Sequence, residues 1–235
     1  MLRERLSNSN EVSILEETQS LEHRRPSYVI FDLGNVLVHI EPAAFLRSLS
    51  IDTPDDRMYY ESKIIEIARR YERGDDSTEN FFTNLDVLFN GRDRRLDHRH
   101  GGKDFFSQDD FHTAMISIIG AQVEGMEEIV RRVGASVPLA LLSNTNPVHF
   151  EYCRQTFPVL QYIPSHFLSY QLKAFKPEPE IFARVVDQIS LPPEEILYID
   201  DIPENVEAAR NARLMGHQFT GVKNIDQLFS DLKLL

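Results

Sequence analysis

YVIFDLGNVLV, residues 28–38, decides the reading of this chain. A run of β-branched and aromatic residues reads as a buried strand, and it delivers one carboxylate, Asp32, to its end. Gly34 follows two residues later. An acid at the end of a buried strand is costly unless something pairs or uses it. Three later segments supply what it needs: a hydroxyl (Ser143), a cation (Lys176) and an acidic pair (Asp200 and Asp201).

Further apolar runs read as strands over 138–143, 167–170, 196–200 and 214–220. Helical periodicity separates the later ones, over 126–133, 180–189 and 204–212. Alternating strands and helices predict an α/β fold, a doubly wound parallel sheet with helices on both faces. Ligands of such sheets bind beyond the carboxyl ends of the strands. Asp32, Ser143 and Asp200 all fall at those predicted ends.

Residues 41–120 break the alternation. They read as helices over 42–49, 57–72, 78–89 and 109–119, with a stop at Gly74 and a start at Ser77 or Thr78. A parallel crossover has no need of so long a detour, so the block is expected to be an α-helical cap inserted into a core made of 26–40 and 121–235. The segment 91–104, GRDRRLDHRHGGKD, reads as a solvated loop of that cap, with a lid touching an anion as the alternative. His98 and His100, two residues apart, suit opposite faces of an extended chain better than one metal ion. Residues 1–25, rich in charge, are expected to be a mobile extension.

Composition narrows the function. A net charge of −12 argues against a nucleic-acid partner, although a local cationic cluster still allows a small anion. The single cysteine, Cys153, excludes an intrachain disulfide and a cysteine metal cluster. No apolar run approaches the roughly 18 residues of a membrane helix, and residues 1–25 lack a signal-peptide pattern. A cytoplasmic protein without a membrane partner is expected, as a monomer or homodimer.

FDLGNVLV, LLSNTN, FKPEPEIF and YIDDIPEN, in this order, resemble the four signature segments of the haloacid dehalogenase superfamily. The resemblance covers about 27–40 and 122–220. The glycine-asparagine form of the first segment is similar to the subgroup containing bacterial α-D-glucose-1-phosphate phosphatase. The resemblance implies a Rossmann-like core and a Mg²⁺-dependent phosphatase of a small phosphorylated metabolite, a sugar phosphate being expected, working through an aspartyl-phosphate. Asp32 would be the nucleophile. Ser143 and the backbone amide of Asn144 would bind phosphoryl oxygens. Lys176 would neutralise nucleophile and phosphoryl group, with Lys173 as competitor. Asp32, Asp200, Asp201 and the backbone carbonyl of Gly34 would hold Mg²⁺, whose charge removes the repulsion of clustered carboxylates.

Two positions depart from the family pattern. Gly34 stands where most of its phosphatases carry a second aspartate as general acid and base, and Asn205 stands where another acid is usual. General acid–base catalysis is worth about 10²–10⁴-fold, so its loss weakens the phosphatase reading and favours a leaving group that needs little protonation, such as an anomeric or acyl phosphate. His39 is a stand-in by chemistry alone. Three rivals follow: a weakened phosphate-binding or regulatory module, a phosphotransferase or mutase, and a metal-free haloacid dehalogenase, against which the 200–201 pair argues.

Overall fold

The computed structural model describes residues 25–51, 53–91 and 105–235. The expected extension over 1–25 and the basic segment 91–104 therefore lie almost wholly outside the described residues.

In chain order the elements are β1 (Tyr28–Phe31), β2 (Val38–Ile40), α1 (Ala44–Ser48), α2 (Pro54–Arg73), α3 (Thr78–Asn90), α4 (Gln108–Ser117) and β3 (Ile119–Gln122). They continue with α5 (Met126–Gly134), β4 (Leu139–Ser143), α6 (Pro147–Thr156), β5 (Ser165–Leu168), α7 (Ser169–Leu172) and α8 (Pro179–Ile189). The last are β6 (Ile196–Asp200), α9 (Pro203–Asn211), β7 (Met215–Gln218) and α10 (Val222–Asp231).

Five strands form one parallel sheet in the order β5-β4-β1-β6-β7. β1 is central because Val29, Ile30 and Phe31 are apolar on both faces and wholly buried. The two-residue period sorts each strand. Val29, Phe31, Leu139, Leu141, Leu197 and Ile199 face one layer with α5 and α10. Ile30, Ala140, Leu142, Ile196 and Tyr198 face the other with α8 and α9. The chain leaves β1 toward β4 and β5 on one side and returns to β6 and β7 on the other. That reversal opens a crevice at the carboxyl ends of β1, β4 and β6.

Helices α1–α4 gather around a separate apolar cluster of their own. Aromatic rings dominate it: Tyr60 stacks on Phe89 at 4.8 Å and Tyr71 on Phe81 at 4.3 Å. Thr53, Ser77 and Ser107 accept from backbone amides at the starts of α2, α3 and α4. α2 ends at Gly74, whose φ of 76° is left-handed. A Cβ there would come within 2.2 Å of the Tyr170 carbonyl oxygen, so glycine lets this turn press against α7.

The structure differs from the sequence reading in several places. A small antiparallel ribbon, β2 with β3, flanks the helical segment at both ends. Position 119, expected to end a helix, opens β3. The expected strand at 167–170 lies instead at Ser165–Leu168, and Tyr170 belongs to the helical turn α7. α6 and α10 fall where the sequence reading places no helix.

His149, on α6, joins the two cores. Its Nε2 lies 2.9 Å from the Met115 carbonyl oxygen and its Nδ1 2.9 Å from Asn146 Nδ2. The carbonyl can only accept, so Nε2 carries the proton and Nδ1 accepts from the amide. Burial pushes this imidazole down to about 4, against the bond to Met115. A folded value below the ordinary 6.5 places its stabilisation above pH 6.5, lost as pH falls toward 4. The full loss is about 3 kcal/mol. Thermal melts between pH 7 and 4 are expected to steepen over this window, and a His149→Gln protein to show a flatter profile. Parallel profiles would remove His149 from the account.

Candidate active site

Asp32 follows β1 directly, and its amide donates to the Ile199 carbonyl at 2.8 Å, carrying the β1–β6 ladder one step further. The residue is nearly buried, at 5% exposure. Lys176 is equally enclosed and reaches two acids at once: its Nζ lies 2.7 Å from Asp32 Oδ1 and 2.7 Å from Asp200 Oδ2. Lys173, the competitor, is exposed and donates instead to the Gly74 carbonyl oxygen.

Asp200 is held by more than Lys176. The Tyr198 hydroxyl donates to Oδ2. The Ile202 amide donates to Oδ1 at 2.8 Å. Asn205 Nδ2 lies 3.1 Å from both oxygens. Tyr198 was missed by the sequence reading, since a tyrosine in an apolar strand reads as core. The signal was present, because residues two apart on a strand share a face.

Asp201 is half-buried and accepts from Asn35 Nδ2 at 3.2 Å. Asn35 has a φ of 53° and accepts the Ile40 amide on Oδ1 at 3.2 Å, so the Gly-Asn turn itself braces the second acid. Asp32, Asp200 and Asp201 each offer one oxygen within 4.8 Å of the others. Three carboxylates against one ammonium leave two negative charges, which a divalent cation balances, and oxygen donors suit a hard one. The residues therefore fit such an ion.

The titration behaviour follows from this crowding. Burial pushes Asp32 up to about 7, with Asp200 adding to the rise and Lys176 opposing it. Burial works likewise on Asp200, but Lys176 and the hydrogen bonds from Tyr198 and the Ile202 amide together hold Asp200 below the ordinary range. Burial opposes the Lys176 charge, yet Asp32 and Asp200 together hold it above the usual lysine value. Burial, with Asp200 beside it, also raises Asp201.

Ser143 ends β4 and is buried. The Asn144 side chain takes a position the sequence did not suggest. It accepts the Lys176 amide on Oδ1 at 2.9 Å and donates Nδ2 to the Lys176 carbonyl at 2.9 Å. One amide thus fixes the main chain of Lys176 on both sides.

A Cβ on Gly34 would sit 3.9 Å from Asp32 Oδ2 and press on Ile40 Cγ1 at 3.3 Å. The position does face the carboxyl of Asp32, but apolar Ile40 crowds it. Ile40 and His39 are neighbours on β2, so alternation turns His39 to the opposite face, and His39 is exposed. Glu72, at the end of α2, lies against Asn146; burial pushes its carboxyl up to about 7, opposed by the Asn146 hydrogen bond and the Arg69 charge.

A parallel sheet with an acid after its central strand, a lysine between two acids and an acidic pair at the neighbouring strand end define a hydrolase core. The family model of haloacid dehalogenase-like hydrolases matches residues 27–213, and the chain belongs to that family. A D-ribitol-5-phosphate phosphatase of Bacteroides thetaiotaomicron is 28% identical over 195 residues, covering 77% of this chain and 86% of the relative. A flavin mononucleotide hydrolase of Arabidopsis thaliana is 28% identical over 111 residues, 47% of this chain and 44% of its own length. The fold is shared with a haloacid dehalogenase family enzyme of B. thetaiotaomicron solved in complex with magnesium and inorganic phosphate. That match has a TM-score of 0.71 at 21% identity, over 87% of this chain and 99% of the other. Among the described residues no helix is long and apolar enough to cross a membrane.

Proposed function

We propose that this hydrolase is a Mg²⁺-dependent phosphatase of a small phosphorylated metabolite, and that residues 41–120 cap its site. The observation that carries the reading is the convergence of Asp32, Asp200 and Asp201, the first two joined through buried Lys176. The similar phosphatase and the magnesium and phosphate complex of the shared fold agree with it.

In this reading Lys176 occupies Oδ1 of Asp32 and leaves Oδ2 to attack phosphorus. The new bond joins Oδ2 to phosphorus, and the bond from phosphorus to the substrate oxygen breaks. The leaving oxygen takes its proton from water. A second water then attacks phosphorus, releases phosphate and regenerates the Asp32 carboxylate. Ser143 and the Asn144 amide hold phosphoryl oxygens, and Lys176 counters the charge gathering there. Asp32, Asp200, Asp201 and the Gly34 carbonyl would hold Mg²⁺, which would neutralise the two surplus charges and draw electron density from the phosphoryl group.

With no acid at Gly34, leaving groups that are already weak bases are favoured. The finer reading is a sugar phosphate, with anomeric or acyl phosphates turned over ahead of primary ones. A phosphometabolite panel with Mg²⁺ is expected to yield free phosphate that ceases with chelator and returns with Mg²⁺. Turnover indifferent to chelator would overturn the reading. Mg²⁺-dependent ligand binding without turnover across the panel would favour the weakened module that Gly34 and Asn205 suggest.

A further inference from the structure

The last turn of α2 leaves the helical segment and grips the loop that carries Lys176. Arg73 donates Nη1 to Glu178 Oε2 at 3.2 Å and Nη2 to Glu178 Oε1. Its guanidinium carbon lies 4.7 Å from the centroid of the Phe175 ring. Glu178 turns back on the same loop: Oε2 accepts the Phe175 amide at 3.1 Å, and its own amide donates to the Phe175 carbonyl at 2.7 Å. Residues 175–178 are thus a closed turn with Lys176 inside it. Asn144 holds the Lys176 main chain from the core side, and Arg73 holds both its flanks from the helical side.

We propose that Arg73 is a positioning residue for Lys176, passing the seating of the helical segment to the ammonium between Asp32 and Asp200 through Glu178 and Phe175. The proposal rests on the phosphatase reading for the task Lys176 performs, but the hold on the loop is independent of it. An exposed ion pair alone is worth about 0–1 kcal/mol and would only tack two surfaces together. Here a two-pronged fork, a stacked ring and a carboxylate shared with the loop amide act on one turn, which adds direction to attraction. Other ties keep the seam closed without Arg73. The Ser169 hydroxyl donates to the Glu72 carbonyl at 2.7 Å, Lys173 donates to Gly74, and His149 bridges to Met115.

The test compares wild type with Arg73→Ala, Arg73→Lys and Glu178→Gln by hydrogen exchange, thermal melting and kinetics. In Arg73→Ala the amides of Phe175 and Lys176 are expected to exchange about tenfold faster, while those of α10 stay as in wild type. On an ester that wild type hydrolyses, kcat is expected to fall about tenfold with KM moved less than about twofold. Arg73→Lys should recover part of both, and Glu178→Gln should resemble Arg73→Ala. Unchanged loop exchange, or faster exchange spread evenly over the sheet with a matching fall in Tm, would overturn the proposal. A wild-type protein that hydrolyses no ester would end the phosphatase reading instead, and the exchange comparison would still decide whether Arg73 holds the loop.

Discussion

An Asp32→Asn protein is expected to hydrolyse phosphate esters at least about a thousandfold more slowly than wild type and, without metal, to melt higher at pH 8. The first half follows from chemistry: an amide has no charged oxygen to offer phosphorus, and the neighbouring carboxylates are already held, Asp200 by Lys176, Tyr198, Asn205 and the Ile202 amide, and Asp201 by Asn35. The second follows from burial. Asp32 is raised from an ordinary 3.8 to about 7, chiefly by loss of water around it. Below 3.8 the carboxyl is neutral folded or unfolded, and folding carries no penalty. As pH rises from 3.8 to 7 the unfolded chain ionises while the folded one resists, so stability is lost through this window and the loss is complete above it. The gap corresponds to about 4 kcal/mol. The amide avoids that cost but gives up the Lys176 contact at Oδ1, so a rise of several degrees in Tm is expected. Scanning fluorimetry in chelator at pH 8 measures it. Near-wild-type turnover, with contamination excluded, would remove Asp32 as nucleophile. A lower Tm would mean that Lys176 more than compensates the buried charge.

What the sequence reveals depends on how local each signal is. β1, β4 and β6 are legible because strands buried on both faces are continuous apolar runs, and the residues ending them are polar by contrast. β2 and β3 are not, since VHI and IGAQ are too short to show alternation. The start of β5 is hidden by Ser165 and His166, and α6 by buried His149 among its apolar positions. At the site, the acids and Lys176 stand out by residue type, and Asn205 stands out only through the family resemblance, as an amide where another acid is usual. The grip of Asn144 on Lys176 spans 32 positions and that of Arg73 on Glu178 spans 105. No periodicity carries such pairs; only the folded sheet and the ending of α2 at Gly74 bring them together.

Lys176→Met sets the charge balance of the site against its stability. The ammonium is the one cation in contact with both Asp32 and Asp200 among the described residues, and all three groups are buried. Removing it leaves facing carboxylates with no counter-charge, and breaking a buried pair from one side costs about 3–5 kcal/mol. In chelator at pH 8 the variant is expected to melt well below wild type. The deficit should shrink as pH falls, because each acid that protonates removes part of the repulsion. It should also shrink with added Mg²⁺, since an ion bound only by the folded chain stabilises it by mass action and answers the same charges. Turnover should not recover with it, because a methionine cannot counter charge on the phosphoryl oxygens. A deficit indifferent to Mg²⁺ would mean that Asp32, Asp200 and Asp201 do not receive the ion together. Stability equal to wild type would mean that Tyr198 and Asn205 already hold Asp200 tightly enough for the lysine to serve chemistry alone.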